Sequence, residues 1–330
     1  MEPNYFAESK ALKGELVTRE GLILRRYSWI PEQKLRGVIV VIHGISSHIL
    51  YDFLNRVTFP EGSISYEGSE FHEPQYEGSW VELLNNNGFV VVGVDHQSYG
   101  LSEGVNEHRN YFDKFDDLVE DQLDLIVALK AEFKGLPVIA LGGSMGGCVA
   151  ARLGERLGAN LSGLILAAPM LSLNALKKKC INSVLLPFSP MVSKIFPTIR
   201  VGQKEPHVCK EMNEHFINDP LNESSSIRAR VADQCLLAVS DTRENAHNVV
   251  CPVLIFHSAN DSMCDPEGSE MFLETISSVD KILHLFPADK YKYLWHDILS
   301  EAGNKDLKVI AVEWLLQHFP EVAATKIVVD

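Results

Sequence analysis

The chain has few cysteines, no long hydrophobic run and a deficit of basic residues, and each shortage excludes a class of protein. Its six cysteines are scattered over 330 residues with no Cys-x-x-Cys pair, so we expect free thiols rather than a disulfide framework. No stretch of about 18 apolar residues occurs, so no membrane-spanning helix is expected. Thirty basic against 44 acidic residues give a formal net charge of −14, which repels phosphate backbones and disfavours nucleic acid as a partner.

Internal repeats, low-complexity tracts and a targeting segment are also missing. The first fifteen residues contain neither a basic n-region nor an apolar h-region, so we expect no secretory signal peptide and a cytoplasmic location. With 46% hydrophobic and 22% charged residues, the composition is that of an ordinary globular protein. A chain of this length folds as one large α/β domain with an insertion or as two domains.

Short apolar runs alternate with helical patterns along much of the chain. The runs at 37–42, 88–94, 137–141 and 163–167 are typical of strands buried on both faces of a parallel sheet. Helical spacing lies between or after them at 80–87, 115–133 and 145–157. An early strand is predicted at 20–30, later strands at 251–257 and 281–287, and a last helix at 306–318. This order predicts a doubly wound, mostly parallel sheet.

The alternation stops between residues 171 and 248. This segment contains helical pieces and no good strand, and it carries several prolines (Pro187, Pro190, Pro197, Pro206 and Pro220). We interpret it as a helical cap inserted into an α/β core. The predicted organisation is therefore a first core part at 1–170, a cap at 171–248 and a second core part at 249–330.

A glycine-rich stretch follows the strand predicted at 137–141. Four glycines surround Ser144, at positions 142, 143, 146 and 147. Read alone, the stretch is either a nucleophile elbow, which exposes a serine on a tight turn, or a glycine loop that binds an anion at a helix N-terminus. The buried strand before it and the helix after it favour the elbow, with Ser144 as the nucleophile.

A serine hydroxyl becomes a nucleophile when a histidine takes its proton and an acid orients that histidine. On a sheet of this kind the acid and the histidine follow the serine in chain order, in loops after later strands. The loop after 251–257 contains Asp261 and Asp265. We favour Asp261, because Asp265 directly precedes a proline and is equally suited to cap the next helix.

The loop after strand 281–287 contains His296, which we predict to be the base. His257 ends its strand and is a candidate neighbour of the acid, whereas His284 lies within an alternating strand and is predicted to pack or to face solvent. The tetrahedral intermediate also needs two backbone N–H donors. We expect these from Met145, directly after the serine, and from Ile45 in the His-Gly-Ile loop after strand 37–42.

Several motifs occur in the order and register of a known family. They are HGISSH at 43–48, DHQSYGLSEG at 95–104, GGSMGG at 142–147, AAPM at 167–170, NDPL at 218–221, SANDSMCDPEGS at 258–269 and the late His296. Over about residues 20–320 the chain resembles the monoglyceride lipase and lysophospholipase family of α/β-hydrolases. The resemblance implies a serine hydrolase that cleaves acyl esters of monoacylglycerols or lysophospholipids beneath a helical cap, without metal or cofactor. It assigns Ser144, Asp261 and His296 to the triad and Ile45 and Met145 to the oxyanion hole.

The chain departs from the family pattern at three places. Ser98-Tyr99-Gly100 stands where the family usually has Gly-His-Gly, and Gly143 stands where a histidine or an acid commonly precedes the nucleophile. The segment 49–79 is longer than the usual connection and resembles the lysophospholipase-like branch found in protozoan parasites. These departures make the family's acyl specificity less transferable to this chain.

The apolar segment 181–199 predicts the cap's role. Its candidates for lining an acyl tunnel or touching a membrane surface are Leu185, Leu186, Phe188 and Phe196. The alternative is that these residues bury against the core, as cap helices must. Lys177–Lys179 fits anionic headgroups or, more commonly, a solvated helix face. Cys264, three residues after Asp261, is either an oxidation-sensitive neighbour of the triad or an ordinary loop thiol.

Two other functions fit parts of the pattern. A general carboxylesterase for small or xenobiotic esters would use the same triad, and its preference for short acyl chains would distinguish it. A non-catalytic receptor with a hydrolase fold commonly lacks a triad member, whereas this chain retains all three candidates. We therefore expect a serine hydrolase with a small acyl-ester or lipid substrate and transient, peripheral membrane contact through the cap.

Overall fold

The computed structural model describes residues 4–174, 189–201 and 206–322. Its strands are β1 (Leu12–Val17), β2 (Ile23–Trp29), β3 (Gly37–Ile42), β4 (Asn55–Thr58), β5 (Glu70–Gln75), β6 (Phe89–Val94), β7 (Val138–Gly143), β8 (Gly163–Ala167), β9 (Val253–Ser258) and β10 (Lys281–Phe286). Its α-helices are α1 (Ile49–Phe53), α2 (Trp80–Asn86), α3 (Phe115–Glu132), α4 (Met145–Leu157), α5 (Ser189–Ile195), α6 (Lys210–Asn218), α7 (Ala229–Asn245), α8 (Pro266–Thr275) and α9 (Asn304–His318).

Eight strands form one sheet in the order β1-β2-β6-β3-β7-β8-β9-β10. The β1–β2 and β2–β6 pairs are antiparallel, and the pairs from β6 to β10 are parallel. At the carboxyl ends of the parallel strands, Ile42 pairs with Gly142 and Gly143 pairs with Ala167. Because parallel strands end at one edge of the sheet, the loops after β3, β7, β9 and β10 meet there.

The continuous apolar runs form the centre of the sheet. All six residues of β3 and of β6 are buried, since helices cover both faces. Val38, Val40 and Ile42 pack with residues of α3, α4 and α7 on one face. Ile39 and Val41 pack with residues of α1, α2 and α9 on the other. This arrangement confirms the predicted α/β-hydrolase fold with a doubly wound, mostly parallel sheet.

The sequence missed β1 and the β4–β5 pair. The residues of β1 alternate between exposed and half-buried at the sheet edge, so no buried apolar run identifies this strand. The segment 49–79 contains α1 and an antiparallel hairpin of β4 and β5, here called the inserted hairpin (55–75). The five described cysteines, Cys148, Cys209, Cys235, Cys251 and Cys264, are free thiols, as predicted.

The segment between β8 and β9 contributes α5, α6 and α7 to the described structure, with a single β-bridge between Arg200 and Arg228. Helix α7 packs against α3 and α4. The candidate residues Leu185, Leu186, Phe188 and Lys177–Lys179 lie outside the described residues. The division into a core and a cap at 171–248 stays a prediction. In the described ranges no helix is long and apolar enough to cross a membrane.

Candidate active site

Ser144 occupies the turn between β7 and α4 with a positive φ of 52° and ψ of −119°. Backbone hydrogen bonds hold this unusual conformation on both sides. The Ser144 N–H donates to the carbonyl of Ala167 at 3.0 Å, and its carbonyl accepts the N–H groups of Met170 at 2.9 Å and Cys148 at 3.2 Å. A non-glycine residue in such a conformation is strained and persists only where its surroundings hold it.

Two of the neighbouring glycines are required because backbone atoms approach them closely. A Cβ at Gly142 would lie 2.2 Å from the carbonyl oxygen of Gly146, and a Cβ at Gly146 would lie 2.2 Å from that of Ile42. Gly143 differs, because a Cβ there would meet Leu299 Cδ1 at an ordinary 3.5 Å. The turn therefore requires glycine at 142 and 146 but leaves room for a side chain before the serine.

The three predicted triad residues form a chain of hydrogen bonds at the carboxyl edge of the sheet. His296 Nε2 is 2.9 Å from Ser144 Oγ, and His296 Nδ1 is 2.7 Å from Asp261 Oδ2. An ionised carboxylate only accepts, so Nδ1–H donates to Asp261 and Nε2 is left to accept the serine proton. This is the arrangement in which a histidine takes a proton from a serine hydroxyl.

Asp261 is buried and richly hydrogen-bonded. Its Oδ1 accepts the backbone N–H groups of Met263 at 2.8 Å and Cys264 at 2.9 Å, and its Oδ2 also lies 3.2 Å from His257 Nε2. Burial alone raises the pKa of Asp261, but the charges and hydrogen bonds of His296 and His257 outweigh it and lower the pKa to about 2. The carboxylate therefore stays ionised at neutral pH.

The interaction between Asp261 and His296 shifts the pKa of the histidine in the opposite direction. Burial lowers the pKa of His296, but the adjacent charge of Asp261 outweighs burial and raises it above the usual value. The charges of Glu301 and Asp297 add to this increase. These charges therefore favour the protonated form of His296.

The competing candidates lie elsewhere. Asp265 stands at the N-cap position of α8 and accepts a hydrogen bond from Ser172 Oγ at 2.9 Å. His284 is half-buried on β10, with its ring 5.9 Å from that of Phe256. His257 contacts the acid, as the sequence suggested, and its Nδ1 lies 2.7 Å from Ser269 Oγ. The described structure therefore brings neither Asp265 nor His284 into the hydrogen-bonded chain.

The loop of residues 43–48, here called the oxyanion loop after the role predicted for Ile45, lies against Ser144. A Cβ at Gly44 would be 3.4 Å from Ser144 Cβ. His43 Nε2 accepts the N–H of His96 at 2.9 Å, so its Nδ1–H donates to the Gly44 carbonyl at 2.8 Å. Burial lowers the pKa of His43 to about 3, which keeps this imidazole neutral and the bond pattern fixed.

The two predicted N–H donors flank this contact. Ile45 follows Gly44 in the oxyanion loop, and Met145 is the first residue of α4, where the helix provides no partner for a backbone N–H. Asp52, on α1, holds the loop from behind: its Oδ2 accepts the Gly44 N–H at 2.7 Å, and its Oδ1 accepts from the Ser47 hydroxyl. The sequence did not indicate this role of Asp52.

Glu301 is a second residue that sequence reasoning missed. It is fully buried and accepts three backbone N–H groups of the segment 287–303, here called the histidine loop; these belong to Trp295, His296 and Asp297. His207 Nδ1 accepts the Cys209 N–H at 2.8 Å, so its Nε2–H donates to Glu301 Oε1 at 2.8 Å. The only sequence signal was an acid five residues after a candidate base.

Phe196 is the only one of the predicted cap contacts within the described residues. More than half of its surface is exposed, at 56%, at the end of α5. Three further large apolar residues of this region are also exposed, namely Met191, Ile195 and Ile199. An exposed apolar group of this kind is typical of a surface that contacts a membrane or another molecule.

Comparison with known proteins places this site in a family. The family described as "Serine aminopeptidase, S33" matches residues 68–303, well over half of the chain. The monoacylglycerol lipase of Mycolicibacterium smegmatis is 23% identical over 88% of this chain and 91% of its own length. The human monoglyceride lipase is 25% identical over 92% of this chain and 90% of its own.

A solved structure shares the fold. It is that of a soluble variant of monoglyceride lipase from Saccharomyces cerevisiae in complex with a substrate analog. The two chains superpose with a TM-score of 0.70 at 19% identity, over 99% of this chain and 100% of the yeast chain. At this identity the likeness shows the fold alone.

Proposed function

The chain belongs to the α/β-hydrolase family described as serine aminopeptidase, S33, and we propose that it is a serine hydrolase that cleaves the acyl ester of monoacylglycerols. The observation that carries the proposal is the hydrogen-bonded chain Ser144 Oγ–His296–Asp261 at 2.9 and 2.7 Å. The similarity to monoacylglycerol and monoglyceride lipases over about nine-tenths of the chain supports the substrate class.

In the proposed first step, Ser144 Oγ attacks the ester carbonyl while His296 Nε2 takes its proton. The negative charge that develops on the carbonyl oxygen is stabilised by the N–H groups of Ile45 and Met145. Asp261 orients the imidazole and stabilises its protonated form. His296 then donates the proton to the alkoxide oxygen, so the alcohol leaves and the acyl group stays on Ser144.

In the second step a water replaces the alcohol. His296 Nε2 takes a proton from this water as it attacks the acyl carbonyl, and the same two N–H groups stabilise the second oxyanion. The proton returns to Ser144 Oγ as the acyl bond breaks. The products are a fatty acid and the free serine, and the cycle balances without another reactant.

The leaving alcohol decides between related substrates. A lysophospholipid presents the same acyl ester with a charged glycerophospho group, and a general carboxylesterase would accept small esters at the same triad. The chemistry at Ser144 is common to all three. The acidic chain, with a formal net charge of −14, favours the neutral glycerol ester over an anionic headgroup.

We also propose that the exposed apolar residues of 191–199 contact the lipid surface from which the substrate is taken. A water-insoluble ester has to be collected from an interface, and exposed Ile and Phe side chains insert into one. Ile195→Glu and Phe196→Glu should then weaken binding to phosphatidylcholine vesicles. Val279→Glu is the control, because Val279 is fully exposed outside this region. Equal effects of all three substitutions would contradict the proposal.

The test of the function is a substrate panel run beside triad variants. Long-chain monoacylglycerols should be hydrolysed faster than short-chain esters and lysophospholipids, and Ser144→Ala should lower kcat by about 10⁴-fold or more. A clear optimum at short chains would replace the lipase proposal with the carboxylesterase alternative. Failure of a fluorophosphonate to label the native protein would remove hydrolysis altogether and favour the non-catalytic receptor.

A matched pair of substitutions tests the assignment of Asp261 as the triad acid. Asp261→Asn should lower kcat by about 10⁴-fold, because the amide no longer fixes the imidazole tautomer. Asp265→Asn should leave kcat within about threefold, since Asp265 contacts Ser172 rather than His296. A larger loss in Asp265→Asn than in Asp261→Asn would show that the assignment is wrong.

A further inference from the structure

The inserted hairpin places a buried cation next to the candidate site. Arg56 lies on β4 with a side chain that has no exposed surface. Its guanidinium carbon is 3.9 Å from the centre of the Tyr51 ring, and Nη1 donates to the Tyr51 carbonyl. A charge buried this completely is retained only where specific partners compensate it.

The first partner belongs to the histidine loop. Arg56 Nη2 donates to the carboxylate of Asp297, which directly follows His296 in the chain. The backbone N–H of Asp297 is in turn held by Glu301 at 2.9 Å. The residue next to the proposed base is therefore fixed through its backbone by Glu301 and through its side chain by Arg56.

The second partner belongs to the helix behind the oxyanion loop. Arg56 Nη1 donates to the Tyr51 carbonyl on α1, and Asp52, the next residue, accepts the Gly44 N–H at 2.7 Å. Burial raises the pKa of Asp52 and the charge of Asp297 raises it further, whereas the charge of Arg56 lowers it. Because the charge of Asp297 raises this pKa, the two carboxylates repel each other, and the charge of Arg56 offsets part of that repulsion.

We propose that Arg56 is a positioning residue of the serine hydrolase centre proposed above. Its guanidinium joins the Tyr51 carbonyl, next to Asp52 behind the oxyanion loop, to the carboxylate beside His296. It thereby fixes the relative position of the two loops that act on the same substrate carbonyl from either side of Ser144. The inference rests on the proposed function and adds to it a role for a segment that lies outside the catalytic motifs.

A positioning role has a kinetic signature that a structural role lacks. If Arg56 sets the geometry of His296 and the oxyanion loop, its loss slows the chemical step and leaves substrate affinity nearly unchanged. Misplacement of catalytic groups by about 1 Å costs on the order of 100-fold in rate. We therefore expect Arg56→Met to lower kcat by about 10- to 100-fold, with KM within about threefold.

The experiment measures two reactions for each variant. One is the hydrolysis of a soluble p-nitrophenyl ester, which gives kcat and KM. The other is the labelling of Ser144 by a fluorophosphonate, which needs the nucleophile, the base and the oxyanion donors but no lipid recognition. Both rates should fall together in Arg56→Met. Arg26→Met is the matched control, because Arg26 pairs with Glu132 at 2.7 Å on the remote strand β2, and its rates should stay within about twofold.

Charge rescue separates positioning from packing. Arg56→Lys keeps the cation and should recover part of the lost rate. Arg56→Met/Asp297→Asn removes the uncompensated carboxylate as well and should be several-fold faster than Arg56→Met alone, since the two sites are directly coupled. A wild-type rate per labelled serine in Arg56→Met, or equal rates in it and the double variant, would overturn the proposal.

Two further outcomes are separable. If Arg56→Met does not fold, Arg56→Gln decides, because it keeps hydrogen-bond donors but no charge, and an unchanged kcat in that variant overturns the proposal. If the native protein is labelled but does not hydrolyse monoacylglycerols, the proposed substrate fails while the role of Arg56 stands. If the native protein is not labelled at all, the proposed function fails and the positioning role fails with it.

Discussion

The Ser144 turn and the inserted hairpin hold the candidate site by different physical means. The turn acts through the backbone. Main-chain hydrogen bonds fix Ser144, and the backbone approaches Gly142 and Gly146 so closely that a Cβ there would lie 2.2 Å from a carbonyl oxygen. The hairpin acts through side chains. Arg56 pairs with Asp297, and the Tyr66 ring lies at 6.4 Å from His207 and 5.7 Å from Tyr293.

The two kinds of support should respond differently to change. Backbone atoms cannot move aside as a flexible side chain can, so a Cβ added at Gly142 or Gly146 forces the chain apart. An ion pair or a ring contact has graded alternatives, because a substituted side chain keeps part of the charge or part of the contact area. We therefore expect nearly all-or-none effects at the turn and intermediate effects at the hairpin.

The largest expected effect comes from the turn. Gly146→Ala places a Cβ 2.2 Å from the Ile42 carbonyl oxygen, so β3 and α4 have to separate. We expect a loss of about 3 kcal/mol or more in the free energy of unfolding, with activity lost because the oxyanion loop follows β3 directly. Urea unfolding followed by circular dichroism, beside ester hydrolysis, measures both.

Gly143→Ala is the matched control within the same turn. Its Cβ would meet Leu299 at 3.5 Å and its φ is not positive, so stability should change by less than about 1 kcal/mol. Similar losses of stability in Gly146→Ala and Gly143→Ala would show that close backbone contact does not decide where the turn accepts a side chain.

The turn was predictable from sequence because everything it needs is local. A buried strand, closely spaced glycines around Ser144 and a helix are visible within about twenty residues. The order of Asp261 and His296 after later strands then followed from the parallel sheet. The structure brings these three residues into one hydrogen-bonded chain, at 2.7 and 2.9 Å.

The hairpin was not predictable for the converse reason. Arg56 and Asp297 are 241 residues apart, and no periodicity connects them. In the sequence, the segment around Arg56 is recognisable only as an unusually long connection. The fold then shows that this segment encloses a buried charge. Glu301 is similar, because its four hydrogen bonds depend on the histidine loop and on His207, which the sequence does not relate to each other.

A smaller effect is expected where the segment after α5 meets the histidine loop. His207→Leu removes the hydrogen bond to Glu301, which then holds the loop through backbone N–H groups alone. We expect kcat to fall by about three- to tenfold, since His296 is displaced slightly rather than lost. The measurement is steady-state hydrolysis of a soluble ester, with the unfolding midpoint taken in parallel.

His215→Leu supplies the comparison for that variant. His215 lies on α6 and contacts the His72 carbonyl of the inserted hairpin at 2.9 Å, away from the histidine loop. Its loss should lower stability by a similar amount without a matching loss of kcat. Equal kcat values for the two variants at equal stability would show that His207 acts only by holding α6 in place.

The smallest expected effect is a shift in pH dependence. His296 acts as a base only when neutral, so the rate falls as the pH drops through its pKa. Burial lowers that pKa and Asp261 raises it above the usual value, while Asp297 adds a further increase. Asp297→Asn removes this last contribution, so the acid limb of kcat/KM should move to lower pH. The rate above the limb should change by less than about fivefold, because the amide oxygen still accepts from Arg56.

Two variants outside the hairpin and the histidine loop provide the contrast for this measurement. Gly143→Ala adds no charge near His296, and Asp265→Asn removes one from a residue that bonds to Ser172 instead. Both should leave the acid limb where it is in the native enzyme. An acid limb that moves to higher pH in Asp297→Asn, or that moves equally in all three variants, would show that charges on the hairpin side do not tune the base. Support from the hairpin would then be steric, like that of the turn.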